Sequence, residues 1–149
     1  MYATHLPFFL IDAAVVELPS YVKTDETSPE KYLNPEAKIR ARLYFDLIER
    51  FGYPPEFIEF DVVVPGFSGM DVADIVVYKD RAHTVPYLVV MCREDWVNDQ
   101  RFESCILEAA KNAKSFGATL SVCAAGSRVH IMDALGEKLR TIPYKYGEK

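Results

Sequence analysis

Two apolar segments decide the fold: ADIVVY at residues 73–78 and YLVVMCR at residues 87–93. Both are rich in β-branched and aromatic residues, which is typical of β-strands. Residues 79–86 separate them by a connection of hairpin length, so we expect neighbouring antiparallel strands. Because side chains alternate along a strand, Asp74 points to one face of its strand, and Met91 and Arg93 share a face of the next.

Further elements surround this hairpin. Apolar residues at helical spacing predict one helix over about 35–51 and a second over about 99–116. Apolar runs predict strands over 57–64, 119–124 and 128–133, with a last one over 138–142. A helix between the third and fourth strands implies that these two pair in parallel. The pattern therefore predicts an α/β fold with a mixed β-sheet flanked by two main helices.

The first 34 residues differ in composition from the remainder. We interpret residues 1–22 as an apolar arm, 23–34 as a polar linker and 35–149 as the folded domain. Within the arm, residues 8–18 fit either a strand or a short buried helix. The start has no basic segment, and Asp12 interrupts its apolar run, so we expect neither a signal peptide nor a membrane span, and a cytoplasmic location.

Composition limits the classes of function. A chain of 149 residues that is 50% hydrophobic accommodates one well-packed domain. Its net charge of −5 makes it a poor binder of polyanions unless its basic residues cluster. Cys92, Cys105 and Cys123 lack paired spacing and are interpreted as reduced thiols, and the three histidines show no zinc-ligand spacing.

The stretch from 35 to 126 resembles the N-terminal nuclease domain of type I restriction enzyme R subunits, a member of the PD-(D/E)XK superfamily. The matching residues are Pro35-Glu36 with Arg40 at the start of the first helix, Gly52-Tyr53-Pro54 after it, and ADIVVY. Asp61 stands where the family usually has glutamate. The resemblance implies a restriction-endonuclease-like fold.

It also implies hydrolysis of DNA phosphodiesters with Mg²⁺ held by carboxylates. On that basis Asp74 and Asp61 are the candidate catalytic metal ligands, and Arg40 is a candidate DNA contact. The family places Glu-x-Lys on the third strand, where this chain has Met91-Cys92-Arg93. A thioether is too soft a ligand for Mg²⁺. Arg93 is the remaining catalytic candidate, but it keeps only the positive charge of lysine because it does not lose its proton.

The second helix departs from the family pattern as well. The family has a motif similar to Gln-x-x-x-Tyr, and the corresponding residues are Glu108 and Asn112. We hypothesise that Glu108 replaces the carboxylate missing at Met91 and acts as a metal ligand; its alternative is a solvated helix residue. Glu94 is a lesser candidate, because strand alternation points it away unless a bulge rotates it.

Ordinary structural roles compete with the functional ones. Arg93 could form a salt bridge with Asp74, and Glu36 could simply complement the dipole of the first helix. Asp61 fits polar alternation on a half-exposed strand. Trp96 either contacts a partner or base, or packs over a sheet end.

Three functions remain open. We favour a catalytically degraded domain that serves as a DNA-binding or assembly module. The second is an active Mg²⁺-dependent endonuclease with a relocated carboxylate. The third is an interaction protein that does not bind nucleic acid, with a homodimer as one form of it. The sequence contains no Gly-x-x-x-x-Gly-Lys-Ser/Thr motif, so we expect any motor or further restriction subunit to be encoded outside this chain.

Overall fold

The computed structural model describes residues 35–66 and 71–145. The predicted arm at 1–22 and linker at 23–34 lie outside these residues. The elements are α1 (Pro35–Glu49), a short 3₁₀ helix (Pro55–Phe57), β1 (Ile58–Val63), β2 (Val72–Tyr78), β3 (Pro86–Cys92), α2 (Asp99–Phe116), β4 (Leu120–Ala125), β5 (Arg128–Asp133) and β6 (Lys138–Leu139).

The six strands form one sheet in the order in which they occur in the chain. β1, β2 and β3 pair antiparallel, β3 and β4 pair parallel, and β4, β5 and β6 pair antiparallel again. The parallel step is the one that α2 connects, as expected for a helical crossover. The structure thus confirms the predicted mixed sheet with two main helices, an α/β fold consistent with the restriction-endonuclease-like type.

The two helices bury opposite faces of the sheet. α1 contributes Leu43, Tyr44 and Leu47 to a core that also contains Ile75 and Val90. α2 packs on the other face, where its small and apolar residues meet β2, β3 and β4. Neither helix, in the part of the chain that the structure describes, combines the length and the apolar character needed to cross a bilayer.

Local signals explain the bounds of α2. The side chain of Asn98 accepts a hydrogen bond from the Arg101 N–H at 2.8 Å, which satisfies one of the free N–H groups of the first turn. Gly117 ends the helix with φ of +73°, a left-handed conformation that favours glycine. The last predicted strand is shorter than expected, because only Lys138–Leu139 pairs with β5; Ile142 is buried in the α1 core without being in a strand.

One sequence interpretation is wrong. Cys105 of α2 and Cys123 of β4 form a disulfide, whereas all three cysteines were expected to be reduced. The two residues are 18 apart in sequence, and the packing of α2 on β4 brings their Cα atoms to 6.2 Å. Only this tertiary approach reveals the pair. Cys92 is a free, buried cysteine, and burial raises the pKa of its thiol well above the usual value.

Candidate functional site

Asp74 lies near the start of β2, beside the end of β3. Its Oδ2 accepts a hydrogen bond from the backbone N–H of Cys92 at 2.7 Å. The carboxylate therefore lies next to the backbone that links Met91 to Arg93. Burial is the main cause that raises the pKa of Asp74; the Cys92 N–H, Arg40 and Arg93 act in the opposite direction.

Asp61 of β1 adopts a left-handed backbone with φ of +56°. Its neighbour Phe60 packs in the core under α1, so strand alternation alone would point Asp61 away from that helix. Its carboxylate nevertheless accepts a hydrogen bond from Arg40 Nη1 of α1 at 2.6 Å. The left-handed residue, which aspartate tolerates better than most, accounts for this departure from alternation.

Arg40 is held in place by this contact. Its side chain is only 9% exposed, and its guanidinium lies 5.0 Å from the ring centre of Phe60. The structure thus assigns Arg40 a structural partner, Asp61, close to Asp74. The DNA contact expected of Arg40 stays a prediction, and it would require the guanidinium to turn away from Asp61.

Met91 occupies the third-strand position where the resembling family has glutamate. Its side chain packs in the core beneath α2, and only 4% of the residue is exposed. Its sulfur accepts a hydrogen bond from Asn112 Nδ2 at 3.4 Å. Asn112, the second residue of the divergent helical motif, is therefore a buried packing partner of Met91.

Arg93 follows β3 directly and forms its ion pair with Glu108 of α2. Arg93 Nη2 and Glu108 Oε1 are 2.6 Å apart, and Arg93 Nη1 donates to the Cys92 carbonyl at 2.7 Å. The alternative of an Arg93–Asp74 salt bridge is wrong for the described residues, although the two charges are close enough to lower the pKa of Asp74. The role of Glu108 as a metal ligand stays a prediction; in the structure its carboxylate is paired with the guanidinium of Arg93.

Glu36 interacts electrostatically with two other carboxylates, those of Asp74 and Glu94. Burial raises the pKa of Glu36, the charges of Asp74 and Glu94 raise it further, and Arg93 lowers it. Glu94 is close enough to Glu36 to raise its pKa, and its carboxylate lies 3.4 Å from Arg101 Nη1. Strand alternation alone makes Glu94 only a lesser candidate, because it points the side chain away from the site. Since β3 ends at Cys92, the loop backbone is free to direct Glu94 toward Glu36.

The loop between β3 and α2 is fixed by the turn between β4 and β5. Arg128 donates to the Val97 carbonyl. Gly126 has φ of +66°, and a Cβ at that position would overlap the Cβ of Asp95. Trp96 of this loop is 69% exposed, so it does not pack over the sheet end. The expectation that it contacts a partner remains.

The side chains of this site are of the chemical type that binds Mg²⁺, but their arrangement does not form a binding site for the ion. Carboxylates with raised pKa values are hard oxygen ligands of the kind that Mg²⁺ prefers. Yet in residues 35–66 and 71–145 no three acidic, histidine or cysteine side chains are grouped so as to hold a metal ion. Met91 offers no oxygen, and Glu108 is paired with Arg93. As arranged, these residues do not fit the ion.

Replacing Asp74 with asparagine is expected to stabilise the domain at neutral pH. The raised pKa means that the folded state binds more protons than the unfolded state as the pH falls toward 3.8. Stability of the wild type therefore increases over that interval, relative to the asparagine variant, which does not titrate there. Urea unfolding of both proteins across this pH range should show that their free energies of unfolding become more similar as the pH falls. A difference that grows in acid would contradict the assignment.

Comparison with known proteins identifies the family. The family described as Type I restriction enzyme R protein N terminus (HSDR_N) matches residues 35–143, well over half of the chain. No curated protein and no solved structure matched. The match covers the whole described sheet, both helices and every residue of the site above. The chain therefore belongs to the family of type I restriction enzyme R protein N-terminal domains.

Proposed function

We propose that this chain is a nuclease-like domain whose catalytic machinery has degraded, and that it acts as a DNA-binding or assembly module. The observation that carries the proposal is the burial of Met91. The position that should present a metal-binding carboxylate is instead a core position, 4% exposed and hydrogen bonded to Asn112. A side chain that packs a core is retained for stability without contributing to hydrolysis.

The chemistry of hydrolysis explains why this loss matters. Enzymes lower reaction barriers by roughly 8–23 kcal/mol, and phosphate ester hydrolysis is among the reactions that need most. Here one ligand is missing at Met91. Arg93 cannot exchange a proton, and its guanidinium is occupied by Glu108. Neither the metal anchor nor the proton transfer that the family's motif supplies is available from these residues.

The DNA-binding part of the proposal is supported by arginines at one end of the sheet. Arg93 and Arg101 lie just beyond the end of β3, each paired with a carboxylate, and the buried Arg40 is close enough to act electrostatically on Cys92. A labelled DNA duplex should bind this end weakly, and its affinity should fall as the salt concentration rises. The slope of log affinity against log salt concentration should correspond to about one to three phosphate contacts. Fluorescence anisotropy over a salt series measures this. Arg93→Ala should weaken binding, and Arg81→Ala, in the hairpin turn at the opposite end of β3, serves as the matched control.

Absence of binding at the lowest salt would overturn the DNA-binding role and leave the assembly role. In that case the partner is a protein, either a second copy of this chain or another restriction subunit. Light scattering of the purified chain then distinguishes a homodimer from a monomer that awaits a different partner. We also propose a cytoplasmic location, together with the DNA and the subunits that the chain would meet; the Cys105–Cys123 disulfide would then lie in a compartment that usually keeps thiols reduced.

A second candidate is an active Mg²⁺-dependent endonuclease with a relocated carboxylate. The raised pKa values of Glu36 and Asp74 favour it, because such perturbed carboxylates cluster at functional sites. Glu94 is the better placed replacement for the missing ligand, since Glu108 is held by Arg93. Titration calorimetry with Mn²⁺ tests this candidate. Binding that is lost in Glu94→Gln and kept in Glu103→Gln would support it.

A further inference from the structure

The ion pair between Arg93 and Glu108 combines a fixed cation with an accessible anion. The backbone N–H of Arg93 donates to the Ala124 carbonyl at 2.8 Å, and its Nη1 donates to the Cys92 carbonyl at 2.7 Å. The first contact fixes the backbone of Arg93 on the sheet and the second holds its guanidinium there, while 21% of the side chain stays exposed. A cation held in this way has a defined position whether or not Glu108 is present.

Glu108 is attached more loosely. Its side chain is 41% exposed, and its carboxylate accepts a hydrogen bond from Arg93 Nη2. An ion pair this exposed contributes only about 0–1 kcal/mol to stability. The fold therefore does not depend on Glu108, and its carboxylate can leave Arg93 at little cost.

The other two arginines near this end differ from Arg93 in their pairing. Arg40 is itself only 9% exposed and is paired with the half-exposed Asp61, whereas the exposed Arg101 lies 3.4 Å from Glu94, whose side chain is 14% exposed. Arg93 has five N–H donors, and its two recorded contacts use two of them. The guanidinium can thus receive a second anionic oxygen once Glu108 moves.

We propose that Glu108 is an internal substitute for a DNA phosphate: its carboxylate occupies Arg93 in the free protein, and a backbone phosphate displaces it on binding. The inference rests on the proposed DNA-binding function and identifies its phosphate contact. A carboxylate and a phosphate present similar paired oxygens to a guanidinium, so they compete for the same donors. Glu108 therefore lowers the affinity for DNA.

The test is Glu108→Gln, measured by anisotropy with a short labelled DNA duplex. We expect binding to tighten about twofold to fivefold, because an exposed pair no longer has to be broken. The slope of log affinity against log salt concentration should become steeper by about one, the change expected for one additional phosphate contact. Glu103→Gln removes the same charge from an exposed position of the same helix and should change the affinity less than twofold. Arg93→Ala combined with Glu108→Gln should lose the gain.

The outcomes separate this inference from the proposed function. If the wild type binds DNA with a salt dependence and Glu108→Gln binds no tighter than Glu103→Gln, competition by Glu108 is excluded while DNA binding stands. If no variant binds at the lowest salt, competition by Glu108 and the DNA-binding role both fail, and the assembly role remains. Glu108→Ala, which removes the acceptor entirely, should reproduce the gain, and circular dichroism melting verifies that each variant is folded.

Discussion

Replacing Met91 with glutamate is expected to destabilise the domain by about 3 kcal/mol or more, instead of restoring a metal site. The new carboxylate would lie in the core beneath α2, where Asn112 Nδ2 is the polar group in contact with the present sulfur. Burial disfavours the ionised form, so the loss should be largest at neutral pH and smaller in acid. Chemical denaturation of both proteins at two pH values measures it.

Met91→Leu is the matched control for this experiment. It conserves volume without adding charge, and it should cost less than about 1.5 kcal/mol. A Met91→Glu protein as stable as wild type would contradict the placement of this residue in the core. The same holds if Mg²⁺ raises the melting temperature of the glutamate variant but not that of the wild type, because the position would then belong to a metal site.

Reduction of the Cys105–Cys123 disulfide is expected to lower the free energy of unfolding by about 3 kcal/mol, as expected for a closed loop of 18 residues. The bond joins α2 to β4 next to Met91, whose strand partner is Cys123. Loss of the bond should therefore loosen the helix that carries Glu108. Urea unfolding with and without dithiothreitol measures the difference.

Thiol counting provides the direct check. Under denaturing, non-reducing conditions one thiol per chain should react, that of Cys92. A double variant with Cys105→Ala and Cys123→Ala should unfold identically with and without reductant. Three reactive thiols per chain under the same denaturing, non-reducing conditions, in protein purified without reductant, would show that the bond is absent.

The sequence predicts the sheet and its helices well because the relevant signals are local. The bounds of α2 follow from Asn98 at one end and Gly117 at the other, and both act within a single helical turn. Parallel pairing of β3 and β4 follows from the helix between them. The family resemblance rested on framework residues such as those of β2, and the family match confirms it.

The site was harder to predict because its contacts depend on departures from regular geometry. Asp61 reaches Arg40 through a left-handed residue inside a strand, which alternation does not anticipate. Glu94 reaches Glu36 because β3 has already ended. The Arg93–Glu108 pair depends on how α2 is placed over the sheet, a relation between elements far apart in sequence.

The proposed catalytic degradation of this domain follows from the loss of a usable carboxylate at the third-strand position, and a plasmid cleavage assay tests for the resulting loss of activity. Supercoiled plasmid is incubated with the wild type in Mg²⁺ and in Mn²⁺, and Asp74→Ala, which lacks the candidate ligand on β2, controls for contaminating nuclease. We expect the same absence of nicked and linear DNA from both proteins. Cleavage by the wild type that disappears in Asp74→Ala would contradict the proposed degradation and establish an active nuclease.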